Sequence, residues 1–162
     1  MLKKILILVL LASFFSCKND TNISINSSQN TFSYETVKIN IPSKYKKDNF
    51  TENRWIDKKT GISLNIELEY SETNLENYFK DSLIMIKKIY PSYKIIKRTK
   101  VEKNIISILS TAKVQDVNLK FYMFIISLEK SKIIITIGGR EKFFNDEIYD
   151  SFVKLIEVNR KN

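Results

Sequence analysis

The feature that most constrains the fold is a run of four strand-like segments joined by short polar turns. The segments are rich in Ile, Val, Tyr and Phe, and turns of this length connect antiparallel neighbours. We therefore predict an antiparallel meander, broken at the Gly138-Gly139 pair by a kink at the strand end. The predicted strands are Tyr93–Glu102, Ile105–Val114, Leu119–Leu128 and Lys132–Ile137, and the predicted turns are Lys103-Asn104, Gln115–Asn118 and Glu129–Ser131.

Three earlier segments add strands to this sheet. The clearest is Ile62–Tyr70, whose apolar even-numbered residues are predicted to face the core and whose polar odd-numbered residues, including Glu67 and Glu69, are predicted to face solvent. A hairpin turn at Lys58–Gly61 precedes it, since glycine adopts positive φ at little cost. The other two segments are Phe32–Ile41, which Pro42 ends, and Phe50–Asp57.

In two places the spacing of apolar residues becomes helical. A capping box at Thr73–Glu76 opens the first helix, which Pro91 ends. Asn145 or Asp146 is predicted to cap a final helix, with Phe144, Ile148, Phe152 and Leu155/Ile156 on one face. The predicted fold class is therefore α+β: an antiparallel sheet of about six or seven strands flanked by two long helices.

The first residues have the features of an export signal. Lys3 and Lys4 precede an apolar run, Ile5–Ala12, which is too short to cross a bilayer core that needs roughly 20 residues. This pattern predicts a secretory signal peptide over residues 1–16. It ends at Cys17, the only cysteine among the 162 residues, so the mature domain has no internal disulfide.

The stretch Phe14-Phe15-Ser16-Cys17 resembles a bacterial lipoprotein signal of the looser Bacteroidetes type, although only Ser16 fits the familiar lipobox well. The resemblance implies a lipidated, palmitate-bearing Cys17 and a cell-envelope location, with the outer membrane favoured, on its periplasmic side or at the cell surface. A plain signal peptide with an unrelated cysteine, or an uncleaved N-terminal anchor helix, is the alternative. Residues 17–30 are predicted to form a flexible tether and residues 31–160 a single domain.

The chain is basic, with a formal net charge of +9. It contains no nucleic-acid-binding motif, so for an exported protein we expect a membrane surface or an acidic envelope partner instead. If the basic loops converge, they form one patch edged by Tyr45, Tyr90 and Tyr93; scattered solvated lysines are the alternative. The clusters are Lys44/Lys46/Lys47, Lys58/Lys59, Lys87/Lys88 and Lys94/Lys97/Arg98/Lys100.

Catalytic groups are scarce. The chain has no histidine, which excludes Ser-His-Asp and Cys-His machinery and the usual zinc sites. Glu67 and Glu69 lie about 7 Å apart on one strand face, a spacing that suits a glycosidase pair or Ca²⁺, although a solvated strand face is the simpler interpretation. Asp146, Glu147 and Asp150 suit a helix start without any metal. We therefore predict no catalytic, cofactor-binding or metal-binding residue.

One further segment, Phe121–Ile126, is apolar on both faces. A central strand covered by helices on both sides explains it, and an exposed interaction surface is the alternative.

The order of these elements resembles that of PsbP-like domains. The similarity is carried by Val37–Pro42, Gly61–Ile66, Tyr93–Ile96, Ile133–Gly138 and Asp150–Phe152. It implies an α/β/α sandwich, shared with a small nuclear-import factor that binds the GTPase Ran, and accessory roles in binding or stabilising larger assemblies. No catalytic residue of that family maps onto this chain.

The sequence thus predicts a lipid-anchored envelope protein of non-enzymatic type, a binding or accessory module for an envelope complex. An immunity or inhibitor lipoprotein directed against a toxin is one alternative. A small carboxylate-dependent hydrolase using Glu67 and Glu69 is an alternative of another class.

Overall fold

The structure is a computed structural model that describes residues 26–28, 31–145, 148 and 156–158. In these residues the chain forms two antiparallel sheets, of four and seven strands, and one long α-helix, Leu75–Ile89 (α1). A short 3₁₀ turn, Glu141–Phe143, follows the last strand of the large sheet. The strands are β1 (Asn26–Ser28), β2 (Thr31–Tyr34), β3 (Val37–Asn40), β4 (Lys46–Lys47), β5 (Arg54–Ile56), β6 (Ser63–Tyr70), β7 (Lys94–Glu102), β8 (Ile105–Val114), β9 (Val117–Ser127), β10 (Ser131–Arg140) and β11 (Ile156–Val158).

The large sheet has the strand order β4-β5-β6-β10-β9-β8-β7, and the small sheet has the order β1-β2-β3-β11. Strands β7 to β10 form the predicted meander, and their bounds agree with the predicted segments to within a few residues. The predicted break at Gly138-Gly139 is wrong, because β10 continues through both glycines to Arg140. The Phe121 side chain explains why residue 138 is a glycine, because a Cβ at this position would lie 2.7 Å from a carbon of the Phe121 ring.

The two sheets pack face to face around the main hydrophobic core. Trp55, Phe32 and Ile39 are fully buried there, together with Leu64 and Ile66 of β6. Full burial of one such side chain contributes about 1.5–3 kcal/mol. This layer therefore supplies most of the apolar burial in the described chain.

Helix α1 covers the opposite face of the large sheet. Tyr78 and Phe79 pack against Ile106 and Ile108 of β8, Ile125 of β9 and Ile134 of β10. The helix cap differs from the prediction, since Asn74 rather than Thr73 caps it: the Asn74 Oδ1 accepts a hydrogen bond from the Asn77 backbone N–H at 3.0 Å. Within the described residues no helix is long and apolar enough to cross a membrane.

The predicted α+β class with two long flanking helices is wrong, and so is the α/β/α sandwich that the PsbP-like resemblance implies. The described chain is mostly β, and a second sheet, not a second helix, covers one face of the large sheet. Strand β9 shows the cause. Its segment Phe121–Ile126 is apolar on both faces because one face meets α1 and the other meets the small sheet. An apolar strand reveals that both of its faces are covered, but not by which kind of element.

The predicted single strand Phe32–Ile41 is also wrong, because it is a hairpin of β2 and β3 that turns at Glu35 and Thr36. Glu35 has a φ of 49°, in the left-handed region that such turns use. Phe32 pairs with Ile39, and both are buried on one face. In one straight strand these residues would lie on opposite faces.

The predicted final helix falls largely on residues 146–147 and 149–155, which lie outside the described residues. Ile148 is helical and buried, and its N–H donates to the Asn145 Oδ1 at 3.2 Å, as the predicted cap requires. The first and last residues of the predicted helical face do not belong to a helix. Phe144 is not helical and directly follows the 3₁₀ turn, and Ile156–Val158 form β11, which pairs with β3.

Candidate ligand-binding site

A cavity of about 110 Å³ lies between α1 and the large sheet. The helix packs over β8, β9 and β10, and it leaves a gap on the side of β6. Several of the lining residues are only half-buried, so the cavity communicates with solvent. Its helix-side wall consists of Tyr78, Ser82 and Ile86 of α1 and of Tyr90, the residue that caps the C-terminus of α1. Its sheet wall includes Asn65, Glu67, Phe121, Met123, Ile134, Thr136 and Gly138.

Sequence spacing explains why these side chains meet. Tyr78, Ser82, Ile86 and Tyr90 recur every four residues and therefore share one helix face. On the sheet, Glu67 pairs with Ile134, Asn65 with Thr136 and Ser63 with Gly138, and directly paired residues share a face. Two small residues, Ser82 and Gly138, stand where larger side chains would fill the gap.

The structure corrects the predicted orientation of the odd-numbered residues of β6. Alternation was right about which residues share a face, but Ser63, Asn65 and Glu67 line the cavity instead of lying open to solvent. At the other end of the strand, Tyr70 was predicted to face the core and is 61% exposed. The alternation of polar and apolar residues along β6 therefore separated its two faces correctly. It did not show that a helix partly covers the polar face.

Glu67 is the chemically distinctive group in the cavity. Burial, with a further contribution from the negative charge of Glu69, raises the pKa of the Glu67 carboxyl to about 7. Among the described residues its carboxylate has no hydrogen-bond or ion-pair partner. A half-buried carboxyl without a partner in a mostly apolar site is costly when it is ionised, and this cost explains why the neutral form is favoured.

Glu69, on the same strand face, is held differently. The Tyr78 hydroxyl donates a hydrogen bond to its Oε2. Lys132, directly opposite Glu69 on β10, is buried, and its Nζ donates to the Ser71 carbonyl at 2.7 Å and lies 6.0 Å from the Tyr78 ring centroid. Burial lowers the pKa of Lys132 and the nearby Glu69 opposes this shift, whereas burial and the bond to Glu69 raise the pKa of Tyr78. This network closes one end of the site and leaves Glu67 outside it.

Sequence reasoning missed Tyr78, Lys132 and Asn65 as parts of a site. A signal existed for the helix side, since Ser82 interrupts an otherwise large and apolar stripe. No signal existed for Lys132, because a lysine at the start of a strand is ordinarily a surface residue. The described residues contain no group of three or more Cys, Asp or Glu side chains placed to hold a metal ion.

The predicted basic clusters do not form one patch. Lys46 and Lys47 lie on β4 and the group from Lys94 to Lys100 lies on β7, and these are the opposite edge strands of the large sheet. Tyr45 and Tyr93 are buried, so they do not edge a basic surface. Cys17, the predicted lipid-attachment residue, and Asp146, Glu147 and Asp150 lie outside the described residues.

Comparison with known proteins gives the fold and no function. The chain matches no protein-family model and no curated protein. Its structure is similar to the crystal structure of PA94 from Pseudomonas aeruginosa, a protein of unknown function described as a candidate regulator. The TM-score is 0.56 at 13% sequence identity, over 84% of this chain and 100% of that chain. At this identity the similarity extends to the fold alone.

Proposed function

We propose that this protein is a lipid-anchored binding protein of the cell envelope, without enzymatic activity, and that its domain binds a small ligand in the cavity between α1 and the large sheet. The observation that carries the proposal is the unpartnered Glu67 carboxyl in a cavity walled by Tyr90, Phe121 and Met123. Ligand sites are concave and mostly apolar, with a few polar groups that fix orientation.

The binding claim is tested by blocking the cavity from the helix side. Ser82→Leu places a larger side chain in the gap, while Asn77→Leu makes the same kind of change at an exposed position of α1. Binding is measured in wild type and in both variants from the NMR chemical-shift changes that small aromatic probes such as benzyl alcohol and benzylamine cause. The proposal expects shifts at Thr136 and Met123 in wild type and Asn77→Leu, and none in Ser82→Leu. Equal shifts in all three proteins would place the probes elsewhere and refute it.

The proposed anchor is Cys17, which the sequence places directly after the signal peptide. Labelling cells with radioactive palmitate and fractionating their membranes tests it. We expect label and membrane association in wild type and neither in Cys17→Ala, because one cysteine is the only site for the lipid. Membrane association that survives in Cys17→Ala would show that the anchor proposal is wrong.

For a macromolecular partner we propose an acidic envelope protein that contacts the β7 edge. Lys94, Lys97 and Lys100 are exposed there, on the strand that ends the large sheet as far as the described residues show it. Capture on purified membranes is expected to weaken with added salt and with Lys97→Glu, and to be unchanged by Lys58→Glu, which makes the same charge change near the other edge. If both variants weakened capture equally, the net charge of the protein rather than the β7 edge would be responsible for binding, and the proposal would be wrong.

A carboxylate-dependent hydrolase is the second candidate, favoured by one observation. Glu67, with its pKa raised to about 7, suits a general acid, and Glu69 lies two residues along the same strand face. Turnover of chromogenic glycosides and esters, lost in Glu67→Gln, would establish it. Glu69 is already engaged by Tyr78, which makes it a poor general base and favours the binding role.

A further inference from the structure

We propose that the natural ligand of the cavity carries a protonated amine that pairs with Glu67, on an apolar body about the size of one six-membered ring. This inference rests on the proposed binding function and adds the chemical class of the ligand. It follows from the charges around the cavity, from its walls and from its volume.

The residues of the described chain that line the cavity carry a single negative charge and no positive one. Among the described residues that line the cavity, Glu67 is the only acid, and there is no Lys or Arg. The nearby cations are engaged elsewhere: the Lys132 Nζ donates to the Ser71 carbonyl, and Arg54 lies 3.6 Å from the Asp48 carboxylate. A carboxylate ligand would therefore meet Glu67 and Glu69 without a compensating positive charge.

A neutral apolar ligand would fill the volume but leave the Glu67 carboxyl unpartnered. An ammonium group provides donors and the opposite charge, so it stabilises the ionised form that the cavity otherwise disfavours. Tyr90, Tyr93 and Phe121 line the same space, and their ring faces suit both an apolar body and a neighbouring cation.

Volume limits the apolar body. The cavity measures about 110 Å³, smaller than a cavity of about 150 Å³ that admits benzene in another protein. Because this cavity also communicates with solvent beside Ser82 and Ile86, the ligand need not be wholly enclosed. A single ring or a short branched chain fits, and a long acyl chain does not.

The titratable and charged groups that face Glu67 determine the pH dependence. They are Glu69 on its own strand, Tyr78 on α1, Tyr90 and Tyr93 after α1, Lys132 on β10 and the Arg54–Asp48 pair beside β6. Burial raises the pKa of Tyr90 to about 12, and it also raises the pKa values of Tyr78 and Tyr93, so none of these three tyrosines titrates near neutral pH. Glu67, with a pKa of about 7, changes charge between pH 6 and 8.

The expected effect follows from the ionised fraction of Glu67. With a pKa of about 7, that fraction rises roughly tenfold between pH 6 and pH 8, while a primary amine, whose pKa is about 10, stays protonated. The dissociation constant of an ammonium ligand should therefore fall about tenfold over this range. A neutral ligand of the same shape should show no such gain.

The experiment is a calorimetric titration at pH 6, 7 and 8 with three probes that share one ring: benzylamine, benzyl alcohol and benzoate. The proteins are wild type, Glu67→Gln and Glu72→Gln, the last being a matched change at an exposed position. We expect benzylamine to bind tightest and about tenfold tighter at pH 8 than at pH 6, and we expect Glu67→Gln, but not Glu72→Gln, to lose that dependence.

The outcomes separate this inference from the function on which it rests. Benzyl alcohol or benzoate binding in the cavity as tightly as benzylamine would overturn the amine proposal and leave the binding site intact. The same pH profile in Glu67→Gln as in wild type would also overturn it. No binding of any probe would instead count against the cavity as a ligand site.

Discussion

Replacing Glu67 by glutamine should stabilise the fold, and the gain should depend on pH. The pKa of Glu67 is about 7 in the folded chain against an ordinary value of 4.5. Between these values the folded protein retains a proton that the unfolded chain has released, so wild-type stability falls as pH rises through this window. Glutamine resembles the protonated acid, cannot ionise and avoids this loss.

The magnitude follows from the size of that shift. The full difference in pKa corresponds to roughly 3 kcal/mol at and above pH 8. Because Glu67 is half-buried at a cavity that communicates with solvent, screening reduces the expected gain to about 1–2 kcal/mol. At pH 4 Glu67 is mostly protonated in both states of wild type, and the difference in stability between the two proteins should nearly vanish.

Urea unfolding of wild type, Glu67→Gln and Glu72→Gln at pH 4, 6 and 8 measures this directly. We expect the free energies of unfolding of wild type and Glu67→Gln to diverge with rising pH, and the exposed Glu72→Gln variant to follow wild type. A difference between Glu67→Gln and wild type that is the same at all three pH values would refute the assignment of Glu67 to a desolvated site.

Three other changes test separate parts of the structure. Gly138→Ala should destabilise the fold by about 1–3 kcal/mol and weaken probe binding, because the new Cβ would lie 2.7 Å from the Phe121 ring. The control Gly61→Ala meets no neighbour but strains a φ of 72°, so it should cost about 1 kcal/mol and leave binding intact. Thermal unfolding and titration measure both effects. Asn74→Ala should lower the free energy of unfolding by about 1 kcal/mol and Thr73→Ala by much less, since Asn74 caps α1; equal losses in urea unfolding would favour the capping box. Ser82→Leu should raise the melting temperature slightly by filling the cavity, and a lowered melting temperature would show that the gap is too small for it.

The sequence predicted the local elements of this fold better than their arrangement. Helix α1 and the strands of the meander carry strong local patterns, and the structure has them close to where these patterns place them. The identity of the layers was not predictable in the same way, because burial of both faces of β9 is satisfied equally by a helix or by a sheet.

The sequence contains a signal for the hairpin between β2 and β3 that the prediction of one strand overlooked. The buried residues shift from even to odd positions between Phe32 and Val37, which a straight strand cannot accommodate on one face. Glu35, at the turn, is not one of the residues that usually mark positive φ, so the turn itself carried no signal.

The cavity was beyond sequence reasoning for a different reason. Whether Glu67 faces solvent or a gap under α1 depends on how far the helix extends across the sheet. That position is set by tertiary contacts such as the hydrogen bond between Tyr78 and Glu69, which do not involve Glu67 itself. Alternation along β6 reports which residues share a face and says nothing about the space above that face.

The central claim is that the cavity holds a small basic ligand in the living cell, and native mass spectrometry tests it most directly. Wild-type protein and Ser82→Leu would be purified gently from their own membranes and compared under non-denaturing conditions. The account predicts a small added mass on wild type alone, released by denaturation as an amine. An identical spectrum for the two proteins, whether both carry the mass or neither does, would contradict it.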